Sequence, residues 1–120
     1  MNAYKRSERV AELIQHEISK IIQELKNSEL GFVTITGVKV TDDLKSAVVF
    51  YSVMGSEEEI KKNIRIMKDS TAKIRYELAQ KVNLRRAPAL IMEYDDTAVK
   101  ATRVFELLEK VKKEEEDNNA

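Results

Sequence analysis

The hydrophobic period of this chain switches back and forth between helix and strand, and that alternation leaves few folds open. From Ser7 to Leu25 the apolar residues recur at helical spacing, with Val10, Leu13, Ile14, Ile18, Ile21, Ile22 and Leu25 forming one face. Ser7 is placed to cap this helix. From Phe32 to Thr41 the period becomes two: Val33 and Ile35 alternate with Thr34 and Thr36. Gly37 then shifts the phase, because Val38 and Val40 continue on even positions, and a glycine at such a shift predicts a β-bulge. Asp42, Asp43 and Leu44 form a turn, and Ala47 to Met54 is a second strand, so the pair reads as a hairpin.

The helical period then returns. Ser56 followed by Glu59 makes a capping-box pattern, and Ile60, Ile64, Met67, Thr71, Ile74 and Leu78 keep the helical spacing as far as Val82. Ser70 and Thr71, weak helix formers, sit in the middle of this stretch and predict a bend or break there. After a loop from Asn83 to Pro88 comes a short strand, Leu90 to Tyr94. A last helix follows, capped by Asp96 or Thr97, with Val104, Phe105, Leu107, Leu108 and Val111 as its core positions. The order is α-β-β-α-α-β-α. It predicts a two-layer α+β domain over residues 1–112, with helices on one face of a three-stranded sheet. The crossover before the last strand makes that sheet mixed. Residues 113–120 are charged and lack apolar anchors, and so predict a disordered tail.

Composition narrows the function. The chain of 120 residues contains no cysteine, which excludes disulfides and thiolate metal sites. Its polar, basic N-terminus is no secretory signal and no segment has the length of a membrane span, so a soluble, cytoplasmic monomer is expected. Glu93, Asp95 and Asp96 do not converge as metal ligands, because the first two alternate on a strand and the third suits a helix cap. Neither a catalytic Ser/His/Asp or Cys/His set nor a phosphate-cradling glycine loop is present. No catalysis, metal or cofactor is therefore expected. His16 lies off the apolar face of its helix and reads as a solvated surface residue.

Charge distribution carries more. The formal net charge is zero. Yet Ile60 to Arg86 contains Lys61, Lys62, Arg65, Lys68, Lys73, Arg75, Lys81, Arg85 and Arg86 against only Asp69 and Glu77, while acids dominate after Met92. Lys61, Arg65, Lys68 and Arg75, spaced four, three and seven apart, fall along one side of a helix and are offset from its apolar positions. Folding requires only polarity on that side, and mixed Lys and Glu would serve. A side nearly free of acids is what a phosphate-binding surface requires. Lys73, Lys81, Arg85 and Arg86 extend it into the break and the following loop. Lys5, Arg6 and Arg9 form a smaller cluster, read either as a secondary RNA contact or as a solubilising end. Phe50, Tyr51 and Phe105 read as core rather than as base-stacking residues, so backbone and shape recognition is favoured over base reading. The competing reading is a protein-interaction module with no direct RNA contact.

The element order is similar to the type II KH fold, and the residues point further. Leu30-Gly31-Phe32-Val33-Thr34-Ile35-Thr36-Gly37-Val38, the turn Thr41-Asp42-Asp43-Leu44-Lys45-Ser46-Ala47, Ile74-Arg75, Leu84-Arg85-Arg86-Ala87-Pro88-Ala89-Leu90 and Tyr94-Asp95-Asp96 resemble, in that order and spacing, the ribosome-binding factor A family. The resemblance covers about Ser7 to Leu108. It implies a non-catalytic assembly factor that binds the free small (30S) ribosomal subunit and its 16S ribosomal RNA. Binding would come late in maturation and RNA processing, with a role in cold adaptation. It also implies an RNA-contacting alanine-x-glycine kink between two helices. Ser70 and Ala72 stand at those two positions, so a bend rather than an open loop is expected, with Ala72 in a helical conformation.

Overall fold

A computed structural model of the protein describes residues 5–25, 30–82 and 86–118, with the side chains at 98–103, 105, 115, 117 and 118 left aside. The elements run α1 (Arg6–Glu24), β1 (Phe32–Val40), β2 (Ser46–Met54), α2 (Glu57–Asp69), α3 (Thr71–Lys81), β3 (Ala89–Tyr94) and α4 (Thr97–Asn118). The sheet order is β1-β2-β3. β1 and β2 pair antiparallel through the hairpin, and β2 and β3 pair parallel across the α2–α3 crossover, which makes the sheet mixed as expected.

The register shifts between Ile35 and Gly37, so the bulge falls at Thr36. Its consequence is phase: Val33 and Ile35 before it, and Val38 and Val40 after it, all turn to the helix side. Thr36 itself donates its hydroxyl hydrogen to Asp95 Oδ2 at 2.9 Å, tying the bulge to the end of β3. On β2 the alternation is clean. Ala47, Val49, Tyr51 and Val53 are buried against the helices, and each neighbour between them is half-buried on the other face. Phe50 is one of those neighbours and lies opposite Gly37, so it belongs to the open face of the sheet and not to the core expected for it.

α1 packs on β1 and α3, while α2 and α3 cover β2 and β3. Ile14, Ile18, Ile21, Met67, Ile74 and Leu78 are fully buried between these layers. Each contributes on the order of 2 kcal/mol of hydrophobic stabilisation. Two expectations for α1 change. Ser7 is not the cap: Lys5 is, with its N–H given to the Glu8 carboxylate at 3.4 Å, and Ser7 is buried in the first turn with its hydroxyl toward Asp42 Oδ1 at 3.4 Å. Glu8 three residues beyond Lys5 does half the work of a capping box, which frees Ser7 for packing. Leu13, at the edge of the apolar face, is 43% exposed.

The end of the chain departs most from expectation. α4 continues to Asn118, where a disordered tail was expected from 113. Lys and Glu are good helix formers, and Lys112 and Glu116 are spaced to support one another one turn apart, so the helix extends without apolar anchors. Val104, Leu107, Leu108 and Val111, expected as core, are between 51% and 62% exposed. Periodicity identifies an amphipathic face but not what covers it. The side chain of Phe105 lies outside the described residues. At the α4 start Asp95 accepts the Thr97 N–H at 3.0 Å and the Thr97 hydroxyl as well.

Candidate RNA-binding surface

The surface begins at the α2 cap. Gly55 has φ +148°, and a Cβ there would collide with the Glu59 side chain. This turn sets Ser56 to accept the Glu59 N–H at 3.2 Å. Glu57, Glu58 and Glu59 occupy the positive end of the helix, and the cations begin with Lys61. Ile60, Asn63, Ile64 and Met67 turn to the sheet. Lys61, Arg65 and Lys68, offset from them, are exposed along one flank. Among the described residues no ion pair engages these three or Lys73.

The join of α2 and α3 is a bend at one residue. Ser70 has φ −88° and ψ −4°, well short of the helical ψ near −42°. Its N–H still reaches Ile66 O at 2.9 Å, and its carbonyl accepts the Ile74 N–H at 2.9 Å. α3 starts afresh at Thr71, so Thr71, Ala72 and Lys73 form its first turn. Thr71 Oγ1 donates to Met67 O at 3.0 Å, the carbonyl that an unbroken helix would pair with the Thr71 N–H. Ala72 is helical, and Leu44 is the non-glycine residue with positive φ among those described. The bend expected for Ser70 to Ala72 is thus present, with the Thr71 hydroxyl bonding back to the preceding turn.

α3 carries the surface onward. Ile74 and Leu78 are buried, and Arg75 is exposed beside them, its Nη2 donating to Ala87 O at 3.0 Å. Arg86 is exposed just before β3. Arg85 lies outside the described residues. Lys81 does not extend the flank as expected: it pairs with Glu24 of α1 at 3.0 Å, and that hydrogen bond raises its pKa above the ordinary lysine value. The acid that claims it lies fifty-seven residues away, beyond the reach of local charge patterning. Lys5, Arg6 and Arg9 are exposed at the start of α1, next to the β1–β2 turn through the Ser7–Asp42 contact.

Two residues of this region were missed. Asn63, 3% exposed, joins α2 to the entry of β1 by accepting the Gly31 N–H at 2.8 Å and donating to Glu59 O at 2.7 Å. Tyr76 is an aromatic 67% exposed on α3. Its signal in the sequence is its place off the Ile74/Leu78 phase, flanked by Ala72 and Ala79. Glu93 faces the open side of the sheet and Asp95 is held by Thr97 and Thr36. Among the described residues no group of three or more acidic or histidine side chains is placed to hold a metal ion. His16 is exposed. No described helix is long and apolar enough to cross a membrane.

Comparison with known proteins agrees over nearly the whole chain. The family model of Ribosome-binding factor A matches residues 6–108. The chain is 42% identical to Ribosome-binding factor A of Geobacter metallireducens over 97% of its own length and 99% of the relative's. It is 40% identical to that of Desulfitobacterium hafniense over 95% and 92%. Among solved structures, the crystal structure of ribosome-binding factor A from Thermus thermophilus matches with a TM-score of 0.65, covering 73% of this chain and 93% of that one at 20% identity, a likeness of fold. A solution structure from Thermotoga maritima matches with a TM-score of 0.68 at 27% identity, covering 78% and 90%. With its α-β-β-α-α-β-α order, mixed sheet and matched length, the chain belongs to the ribosome-binding factor A family.

Proposed function

We propose that this chain is a non-catalytic, cytoplasmic assembly factor that binds the free 30S subunit as a monomer and contacts its 16S ribosomal RNA. It would act in late maturation and RNA processing and support growth in the cold. The observation that carries the RNA contact is the α2–α3 bend. The first N–H groups of α3, at Thr71, Ala72 and Lys73, stand at its positive end, and exposed cations lie on both sides of the bend in the chain, Lys61, Arg65 and Lys68 on α2 before it and Lys73, Arg75 and Arg86 after it. Donors, helix dipole and cations together suit phosphate oxygens. Ser70 takes part by setting the bend, and Ala72 by presenting its N–H without a bulky side chain. Lys81, held by Glu24, and Arg85 are peripheral, and Lys5, Arg6 and Arg9 form a separate, secondary contact. Membership of the family supports the ribosomal partner. A Thermus thermophilus relative of the same fold has been fitted into a cryo-electron microscopy map of a 30S complex.

The exposed apolar residues of α4 favour a second reading, a protein contact made without RNA. Cosedimentation with free small subunits separates the two. Reversing Arg65, Lys68 and Arg75 together to glutamate should abolish binding while the far-UV spectrum and melting curve stay those of a folded protein. Each lost phosphate contact should flatten the slope of log affinity against log salt by about 0.7 to 0.9. Purified ribosomal RNA should compete with the subunit. A folded triple variant that cosediments like the parent would show the flank to be merely solvated, and failure of RNA to compete would favour the protein contact.

A further inference from the structure

Beside the bend, α3 and the approach to β3 enclose a shallow pocket of about 380 Å³, lined by Ala72, Arg75, Tyr76, Ala79, Arg86 and Ala87. Its construction is unlike the rest of the cationic flank. Its lining combines three small side chains, Ala72 and Ala79 on α3 one turn to either side of Tyr76 and Ala87 ahead of β3, with one tyrosine and two arginines. Tyr76 is 67% exposed, so it contributes little to the core, and a solvent-facing ring between two alanines leaves its face accessible. Arg75 is held in place by its bond to Ala87 O at 3.0 Å, which occupies one of the five donors of its planar fork. That bond also reduces the rotamer entropy a ligand would have to overcome.

We infer that this pocket seats one unpaired nucleobase of RNA, stacked on Tyr76, with the adjoining phosphates on Arg75 and Arg86. The inference rests on the RNA-binding function proposed above and adds a base contact to what charge alone would make a backbone contact. Apolar lining, aromatic face and flanking cations are the combination by which single-stranded RNA is held: splayed bases stack on tyrosine rings or guanidinium planes while arginines neutralise the backbone. A base paired within an A-form helix does not present its face to a ring, so the pocket selects unpaired RNA. Stacking accepts any base, and the pocket therefore adds affinity and position rather than sequence specificity.

The test uses the full chain and a short ribo-oligoadenylate carrying one fluorescent aminopurine, alongside a double-stranded RNA of equal length. The parent should quench the aminopurine on binding the single strand, and Tyr76→Phe should do the same. Tyr76→Ala should lose the quench and bind the single strand roughly five- to a hundred-fold more weakly. Its salt slope should be unchanged, because no charge is removed, and so should its affinity for the duplex. Ala79→Glu, at an exposed position, should fill and repel the pocket and lose the quench as well. Melting curves like the parent's are expected for all three, since neither position is buried. If Tyr76→Ala and Ala79→Glu bind and quench like the parent while the Arg65, Lys68 and Arg75 reversal still abolishes binding, the pocket is overturned and the cationic flank stands. If the parent binds neither RNA, both fall together.

Discussion

Asn63 offers the sharpest test of how the fold positions its cationic helix. Its side chain is buried and bridges two elements: Oδ1 accepts the Gly31 N–H at 2.8 Å, and Nδ2 donates to Glu59 O at 2.7 Å. Truncation to alanine has two separable effects. The Glu59 carbonyl keeps its place in the helical ladder and loses little. The Gly31 N–H loses its acceptor, but Gly31 faces solvent, so water replaces part of the bond and the loss is near the net value of about 1 kcal/mol rather than the larger cost of a buried orphan. The void left by the amide, on the order of 40 Å³ at about 24 cal/mol per Å³, adds roughly 1 kcal/mol. Asn63→Ala should therefore destabilise by about 2 kcal/mol, and Asn63→Leu, which fills the void, by about 1. At about 4 °C per kcal/mol for a domain near this size, the melting temperature should fall by roughly 8 °C and 4 °C. Thermal denaturation measures both, and amide hydrogen exchange at Gly31 should accelerate in each. A leucine variant as stable as the parent, or unchanged exchange at Gly31, would refute the bridge.

Ala72→Gly should cost up to about 1 kcal/mol, a few degrees in melting temperature, because Ala72 is helical; a stabilised variant would contradict the bent-helix geometry. The Asp95 carboxyl is held below the ordinary carboxylate range, first by the Thr97 hydroxyl, then by the Thr97 N–H and the Thr36 hydroxyl. A depressed carboxyl contributes stability that is present above its unfolded value and lost as pH falls through the folded one, so Asp95→Asn should remove part of the acid-induced loss of stability below about pH 4 and none of the stability change at neutral pH and above. Proteolysis-resistant cores of the two proteins compared after acid titration, or melting curves across that range, measure it. Deleting residues 114–120 should leave the melting temperature unchanged, since the described side chains at 114 and 116 are exposed; a fall of many degrees would show that the end of α4 packs on the domain.

What was legible in the sequence is what local periodicity encodes. The spacing of Ile14, Ile18 and Ile21 placed α1, and the alternation broken at Gly37 placed both the hairpin and its bulge. The cationic flank was legible because Lys61, Arg65 and Lys68 lie on the same helix as the apolar residues that orient it. What escaped depends on partners distant in the chain. Lys81 looked free until Glu24 was found beside it, Asn63 looked like an ordinary polar residue until Gly31 supplied its donor, and Ser7 looked like a cap while it packs near Asp42. The spacing of Val104, Leu107, Leu108 and Val111 predicts a covered face on α4, but these residues are exposed, because periodicity does not encode what packs on a helix. Tyr76 escaped for a different reason: aromatic residues are assigned to cores by default, and only its phase opposed that.

The bend shows how a break between two helices can form without a glycine. A continuous helix would occupy the N–H groups of Thr71, Ala72 and Lys73 with the carbonyls of Met67, Lys68 and Asp69. Here ψ at Ser70 turns to −4° with φ still negative, and a new helix starts at Thr71. The Thr71 hydroxyl donates to the Met67 carbonyl at 3.0 Å, so that carbonyl keeps a partner at the break. The positive φ that a glycine would permit is therefore not needed. What is needed is a hydroxyl at position 71 that can satisfy the orphaned carbonyl. Thr71→Val keeps the shape and removes the hydrogen bond, so it should restore competition for Met67 O in favour of the Thr71 N–H, straighten the helix and slow amide exchange at position 71. It should also weaken RNA binding with Lys68 and Lys73 both intact. Unchanged exchange at Thr71 in that variant would show that the bend is set by packing against the sheet and not by the hydroxyl.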